Sequence, residues 1–203
     1  MTGKVREIYV IRHGETDWNK SQRFQGQSDI PLNQTGREQA ARLAAALREI
    51  LPFQRVVASD LSRARETAEI VHRGYTQPII TDPAFREMGF GDWEGLDSTA
   101  IQARWPGALE TWRILNDNLV IPGGESFETL YQRVWPRFLY WTGQKDYARM
   151  AIVTHGCVVG VLTCGVLGLP PAEAVTRLPG NTGVVKVLLD GEGRYKLDKI
   201  EQN

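Results

Sequence analysis

Two histidines in this chain are each followed by glycine, His13-Gly14 and His155-Gly156, and each pair closes a short apolar, β-branched run, Val5 to Ile11 and Met150 to Thr154. Arg12 stands directly before the first. Arg63 falls in the first turn of a predicted helix that follows a third such run, Arg55 to Ala58. Guanidinium forks match the oxygens of a phosphoryl group, and helix N-termini add backbone donors. A cation in a first helical turn is otherwise unfavourable, so Arg63 calls for an anion to meet it. An imidazole attacks phosphorus and holds the phosphoryl group covalently. A second, protonated imidazole stabilises charge on the equatorial oxygens during transfer. The leaving oxygen then needs a proton, which Glu87, in Phe85-Arg86-Glu87-Met88-Gly89, is placed to supply from a facing segment. The third histidine, His72, falls late in a helix and reads as a surface residue at its C-terminal end.

Elements that bring these groups together are legible as alternating strand and helix patterns. Between Gly36 and Leu51, the residues Ala40, Leu43, Ala44, Leu47 and Leu51 line one helical face, with Asn33, or Thr35 with Glu38, as the cap. Ser59 to Arg73 reads as a second helix and Pro78 to Thr81 as a short extended piece. A helix from Ser126 to Trp141 contains Pro136, which is expected to kink or split it. The apolar segment Val158 to Leu169 reads as a buried helix, and Val184 to Leu189 with Tyr195 to Ile200 as a hairpin around Asp190-Gly191-Glu192-Gly193. The alternation predicts a three-layer α/β fold: a mostly parallel sheet, helices on both faces, and one domain over 1–203. Residues 83–125, rich in glycine and proline with two broken helical patches around Ala100 and Trp112, are expected to form an insertion over the strand C-termini, where ligands of such sheets gather.

Charge narrows the ligand. Of 203 residues, 24 are Lys or Arg and 24 are Asp or Glu, a formal net charge of zero. Polyanion binding by counterion release, and a polybasic membrane anchor, both need a basic surplus that is missing, so neither nucleic acid nor membrane is expected as a partner. The apolar run at Ile8 to Ile11 is too short for a signal-peptide core, and no stretch has the length to span a bilayer, which points to the cytoplasm. Cys157 and Cys164 lie two helical turns apart and read as small apolar residues on one buried face. Two histidines without a carboxylate at ligand spacing make a poor divalent-metal site, so neither metal nor organic cofactor is expected. Oligomeric state has no signal.

Arg12-His13-Gly14-Glu15-Thr16 followed by Asn19 resembles the signature of the histidine phosphatase superfamily, which includes the cofactor-dependent phosphoglycerate mutases. The resemblance continues in order through Gln25-Gly26, Asp29 to Leu32 with Gly36, Ser59-Asp60-Leu61 with Arg63 and Glu66-Thr67-Ala68, and Glu87 with Gly91-Asp92-Trp93-Glu94-Gly95. Gly123-Gly124-Glu125-Ser126 and Val153-Thr154-His155-Gly156 complete it. It implies His13 as the nucleophile that becomes phosphohistidine, Arg12, Arg63 and His155 as the phosphate pocket, Asn19 as a further donor, and Gln25 at a position that often touches the phosphoryl group. It implies Glu87 as the general acid and then the base that activates water. Glu15, Asp60 and Asp92 read as structural, and Glu125 and Ser126 as favouring the start of the helix that follows.

The family holds hydrolases and mutases. A mutase must shield its phosphohistidine from water, which calls for a long enclosing insertion, and the stretch between Glu87 and His155 is modest. The mutases also share an Arg-His-Tyr-Gly run after the acid, where this chain has Met88-Gly89-Phe90-Gly91. Both departures favour a metal-independent phosphomonoesterase acting on small phosphorylated metabolites, similar to the broad-specificity phosphatases and α-ribazole phosphatases. A 2,3-bisphosphoglycerate-dependent mutase is the alternative, and a non-catalytic phospholigand-binding protein a third. Trp93, Trp105 and Trp112 either floor a pocket for a planar or apolar leaving group or pack the insertion onto the sheet, the more usual employment of tryptophan.

Overall fold

A computed structural model describes residues 5–114 and 121–201. The stretch before Val5 and residues 115–120 of the insertion lie outside the described residues. Six strands form one sheet: β1 (Arg6–Arg12), β2 (Arg55–Ala58), β3 (Ile79–Thr81), β4 (Arg149–Thr154), β5 (Val184–Leu189) and β6 (Tyr195–Glu201), in the order β3-β2-β4-β1-β5-β6. The pairs β1–β4, β2–β4 and β2–β3 are parallel, while β5 runs antiparallel to both β1 and β6. The expected mostly parallel sheet is therefore present, with the hairpin as its antiparallel margin.

Period-two alternation decides which layer each side chain joins. Ile8 and Val10 of β1 point to one face, where they meet Ile152 of β4 and the helices α6 (Phe127–Gly143) and α7 (Gly156–Leu167). Tyr9 and Ile11 point to the other, against α2 (Gln34–Ala46) and α3 (Ser62–Val71). α7 is buried on all sides from Gly156 to Cys164, which is why its sequence is apolar without helical periodicity. Both cysteines are buried and free. Among the described residues, no single helix is long and apolar enough to cross a membrane.

Local chemistry explains the helix starts. Asn33 caps α2 by accepting from Gly36 N–H at 2.8 Å, and Ser126 caps α6 by accepting from Thr129 N–H at 3.1 Å. α3 begins at Ser62, later than the predicted Ser59. Its first turn is capped from another segment: Asp29 accepts from Ser62 N–H at 2.8 Å and from the Ser62 hydroxyl at 2.7 Å. Pro136 does not split α6, which runs through it to Gly143. Leu130 and Val134 before the proline and Phe138 and Thr142 after it are all buried, so packing supports the helix on both sides of it. His72 is a second correction: it is 4% exposed, because its ring is stacked 6.5 Å from Phe53 and lies tilted 5.1 Å from Tyr75.

The insertion carries α4 (Ser98–Arg104) and α5 (Ala108–Arg113), matching the two helical patches, with 3₁₀ turns at Pro83–Phe85 and Gly91–Trp93. A further helix, α1 (Asp17–Lys20), and a 3₁₀ stretch, Pro171–Arg177, had no counterpart in the sequence reading.

Candidate active site

The parallel register Arg12↔Thr154 sets the last residues of β1 and β4 side by side, so the residues that follow, His13 and His155, leave the sheet as neighbours. Their rings meet edge to face, with centroids 5.1 Å apart. Four bonds fix the His13 backbone and its successor. Its N–H donates to Thr154 O at 2.9 Å, its carbonyl accepts from Thr182 N–H at 3.1 Å and from the Asn181 amide at 3.2 Å, and Gly14 N–H donates to Thr67 Oγ1 at 3.1 Å. Glycine is required at 14, since a Cβ there would sit 2.4 Å from Gly36 O. Nδ1 of His13 is bonded to Gly14 O at 2.6 Å. A carbonyl only accepts, so Nδ1 carries the proton and Nε2 keeps its lone pair.

Arg12 and Arg63 are pinned by peptide carbonyls. Arg12 Nη1 donates to Pro179 O at 2.6 Å; Arg63 donates from Nη1 to Ser28 O and from Nη2 to Gly26 O, each at 2.8 Å. Arg63 is fully buried, and burial lowers its pKa to about 10. After these bonds, Nε of Arg12, Nε of Arg63 and both ring nitrogens of His155 are buried with no hydrogen-bond partner among the described residues. Each orphaned group costs about 1–3 kcal/mol, and their accumulation in one place marks a site built to receive oxygens.

Glu87 reaches the same cavity from the insertion. Its Oε1 accepts from Met88 N–H at 2.8 Å and from Cys157 N–H, at the start of α7, at 3.2 Å. Burial pushes its pKa up, against the pull of those amides and of Arg12 and Arg63. Arg133 of α6 straps the segment down, donating to the carbonyls of Ala84, Arg86 and Glu87 at 2.8, 3.1 and 3.1 Å. Glu125 holds Arg133 with both oxygens, at 2.8 and 2.7 Å, and also accepts from Gly89 N–H. That pairing, beside any effect on the helix start, is what its carboxylate does.

Asn19 and Gln25 join the cavity with their oxygens already committed: Asn19 Oδ1 accepts from Thr16 N–H and from Asn181, and Gln25 Oε1 accepts from the Thr16 hydroxyl at 2.8 Å. Each amide nitrogen is left as the donor. The cavity measures about 170 Å³, and Arg12, His13, Asn19, Gln25, Arg63 and Glu87 all line it. The sequence-selected residues are thus brought together, with His155 beside His13.

One expectation changes. His155 was read as cationic, but burial first, then Arg63, His13 and Arg12, push its pKa well below the ordinary histidine range. His13 is pushed the same way by burial, Arg63 and Arg12. Burial and the neighbouring guanidiniums thus favour the neutral form of both rings, and an anion bound beside them would favour the charged form of His155.

Part of the cavity lining is apolar: Phe24, Phe90, Trp112 and Leu178 contribute to it, with Gln22 and Arg23 as polar neighbours in the lining. Of the three tryptophans considered, Trp112 lines the cavity, Trp93 is fully buried in the core, and Trp105 packs against that core. Phe24, Phe90, Leu178, Asn181 and Thr182 were missed by sequence reasoning. An apolar residue in a loop carries no mark separating wall from core, and Asn181-Thr182 looks like an ordinary turn after Pro179-Gly180. Among the described residues, no group of three or more His, Cys, Asp or Glu side chains lies close enough to share a metal ion.

Comparison with known proteins agrees with this geometry. Residues 8–202 match the histidine phosphatase superfamily (branch 1). The chain is 39% identical over 175 residues to a probable phosphoglycerate mutase GpmB of Erwinia tasmaniensis, covering 85% of this chain and 79% of that protein. It is 35% identical to the glucosyl-3-phosphoglycerate phosphatase of Mycolicibacterium vanbaalenii, covering 82% and 76%. Among solved structures, a mycobacterial glucosyl-3-phosphoglycerate phosphatase in complex with VO3 superposes with TM-score 0.88 at 31% identity over 98% of this chain and 100% of that one. The α-ribazole phosphatase of Shigella flexneri does so with TM-score 0.85 at 27% identity, over 96% and 95%. The chain belongs to the histidine phosphatase superfamily, as a hydrolase of phosphomonoesters of small metabolites.

Proposed function

We propose that the chain hydrolyses small phosphomonoesters in two in-line steps through a phosphohistidine on His13, using its own side chains throughout. Nε2 of His13 attacks phosphorus while Glu87, protonated, gives its proton to the departing ester oxygen, which leaves as an alcohol. Glu87, now a carboxylate, takes a proton from water as the water oxygen attacks phosphorus and the P–N bond breaks, releasing inorganic phosphate and restoring both groups. Arg12, Arg63, His155 and the amide nitrogens of Asn19 and Gln25 hold the three equatorial oxygens.

The observation carrying this reading is the convergence of four buried, unpartnered nitrogens, on Arg12, Arg63 and His155, around a His13 ring whose Nδ1 is already committed. The raised pKa of Glu87 supports its protonated start. The apolar side, with Phe24, Phe90, Trp112 and Leu178, favours leaving groups with an apolar or planar body. Residues 83–125 serve here as the cover of a single 203-residue domain.

Enzyme given ³²P-labelled substrate and quenched with detergent at alkaline pH should carry an acid-labile, base-stable phosphoryl group, and His13→Ala should lose it together with turnover, about 10⁴-fold or more. Full turnover by His13→Ala would end this reading. The second reading, a phosphoglycerate mutase, is favoured by the 39% identity to the probable mutase. Product analysis with 3-phosphoglycerate separates the two: release of inorganic phosphate fits the phosphatase, and isomerisation without release fits the mutase.

A further inference from the structure

We propose that Glu94 is a positioning residue for Arg63, acting through the backbone of residues 26–28 without touching the phosphoryl group. This rests on the phosphate pocket proposed above. Glu94 follows the Gly91–Trp93 turn of the insertion, and its carboxylate receives four donors. Oε1 accepts from Gln27 N–H at 3.0 Å and Phe90 N–H at 3.2 Å; Oε2 accepts from Ser28 N–H at 3.0 Å and from the Ser28 hydroxyl at 2.6 Å. The carbonyls on either side of these amides, Gly26 O and Ser28 O, are the two that hold the Arg63 fork. Among the described residues, no carboxylate forms a salt bridge with Arg63, so the loop sets the plane of its guanidinium. The carboxylate sets the loop.

Two further observations support this chain of contacts. Gly26 has φ +53°, and a Cβ on it would lie 1.9 Å from Glu94 Oε1, so the loop is folded tightly around the carboxylate. Glu94 also holds the backbone of Phe90, which lines the apolar side of the cavity. One side chain from the insertion therefore ties the two ends of the pocket together.

Only an acceptor with two unprotonated oxygens satisfies four donors. In Glu94→Gln, one oxygen keeps Gln27 and Phe90, while the new NH₂ is set donor against donor with Ser28 N–H, and the Ser28 hydroxyl turns to accept from it. Shape is preserved, and the bond from Ser28 N–H is lost. The test measures inhibition by orthovanadate and kcat/KM on 4-nitrophenyl phosphate for Glu94→Gln, Arg63→Lys, Ser28→Ala and the double variants, with thermal unfolding alongside.

Glu94→Gln is expected to weaken vanadate inhibition by about tenfold or more, with kcat/KM falling in parallel and Ser28→Ala giving a smaller change of the same kind. In the Arg63→Lys background, where no fork remains to be aligned, most of that loss should vanish. If the losses multiply independently, or if Glu94→Gln lowers Tm and leaves vanadate inhibition untouched, the proposal is overturned. Should Glu94→Gln fail to fold, the Ser28→Ala and Arg63→Lys pair decides by the same criterion. Arg63→Lys that inhibits like the parent would instead overturn the phosphate pocket itself, a result distinguishable from failure at Glu94 alone.

Discussion

The two sides of the cavity are built by opposite means. On the phosphate side, Arg12, His13 and His155 hang from the ends of adjacent parallel strands and Arg63 from the first turn of α3, each residue at a place the sheet itself dictates. Their orientation is then locked by peptide carbonyls: Pro179 for Arg12, Gly14 for His13, Gly26 and Ser28 for Arg63. On the apolar side, Phe24, Phe90, Trp112 and Leu178 come from four segments with no common secondary structure, and the aromatic rings among them pack on one another. Phe24 meets Phe90, Trp93 and Trp112 edge to face at 5.0, 5.5 and 5.7 Å. The first arrangement fixes each polar side chain through hydrogen bonds to backbone carbonyls. The second is apolar bulk, and under the proposed function it is where leaving groups would be distinguished.

Glu87 belongs to the insertion but works on the phosphate side, so it is the sharpest place to break this division. Its removal should matter in proportion to how badly the leaving oxygen needs a proton. For Glu87→Gln, kcat/KM on alkyl phosphates is expected to fall about 10²- to 10⁴-fold, and on 4-nitrophenyl phosphate, whose leaving group departs unassisted, by far less. An equal loss on both classes would mean that Glu87 only positions the ligand and that the insertion contributes no chemistry.

The same division explains how much was readable beforehand. His13 and His155 could be paired from sequence because strand ends are marked by the close of a β-branched run, and in a parallel sheet such ends gather on one edge. Arg63 was legible because a cation in a first helical turn needs an anion. His155 lies beside His13 as expected from the strand ends, but sequence does not show that it is fully buried beside two guanidiniums, which lowers its pKa. His72 failed for a related reason, since the end of a helix is exposed only if nothing packs on it, and Phe53 does. The apolar side was almost invisible. Phe24 and Phe90 differ from core phenylalanines only in facing a cavity, and Trp93 and Trp112 are alike in sequence though one is core and the other lining. Pro136 shows the opposite limit: it does not split the helix, which carries buried residues on both sides of it.

If the apolar side does the selecting, truncating it should change preference more than rate. Trp112→Ala removes a ring stacked 5.8 Å from Phe127 and leaves the phosphate side untouched. We expect kcat/KM on 1-naphthyl phosphate to fall about 10- to 100-fold and on a small polar ester such as glycerol 3-phosphate to change little. Vanadate inhibition should hold at the parent value. A uniform loss on all three would show that Trp112 supports the whole site, and the two sides would then be one unit.

The smallest effect separates the sides by proton linkage. In the folded protein the pKa values of His13 and His155 are pushed well below 6.5, and that of His72 is lowered by burial as well. A group with a depressed folded pKa contributes stability that is fully present above its unfolded value and is lost as pH falls through and below it. For these histidines the loss begins near 6.5. Glu87 acts in the opposite sense, its raised pKa favouring the folded state at low pH and less so as pH rises through it. Three groups against one give a net decline in Tm on acidification from about pH 7.5 to about pH 5.5, above the range in which the lowered carboxylates of Glu7 and Asp60 begin to protonate. Inorganic phosphate should flatten most of that decline, because an anion between Arg12 and Arg63 allows His155 to take its proton without penalty. The share that belongs to His72, far from the cavity behind Phe53, should persist in saturating phosphate and disappear in His72→Gln. A decline that phosphate leaves unchanged would mean that the two cavity histidines are not depressed, and that the phosphate side is already charged before any ligand arrives.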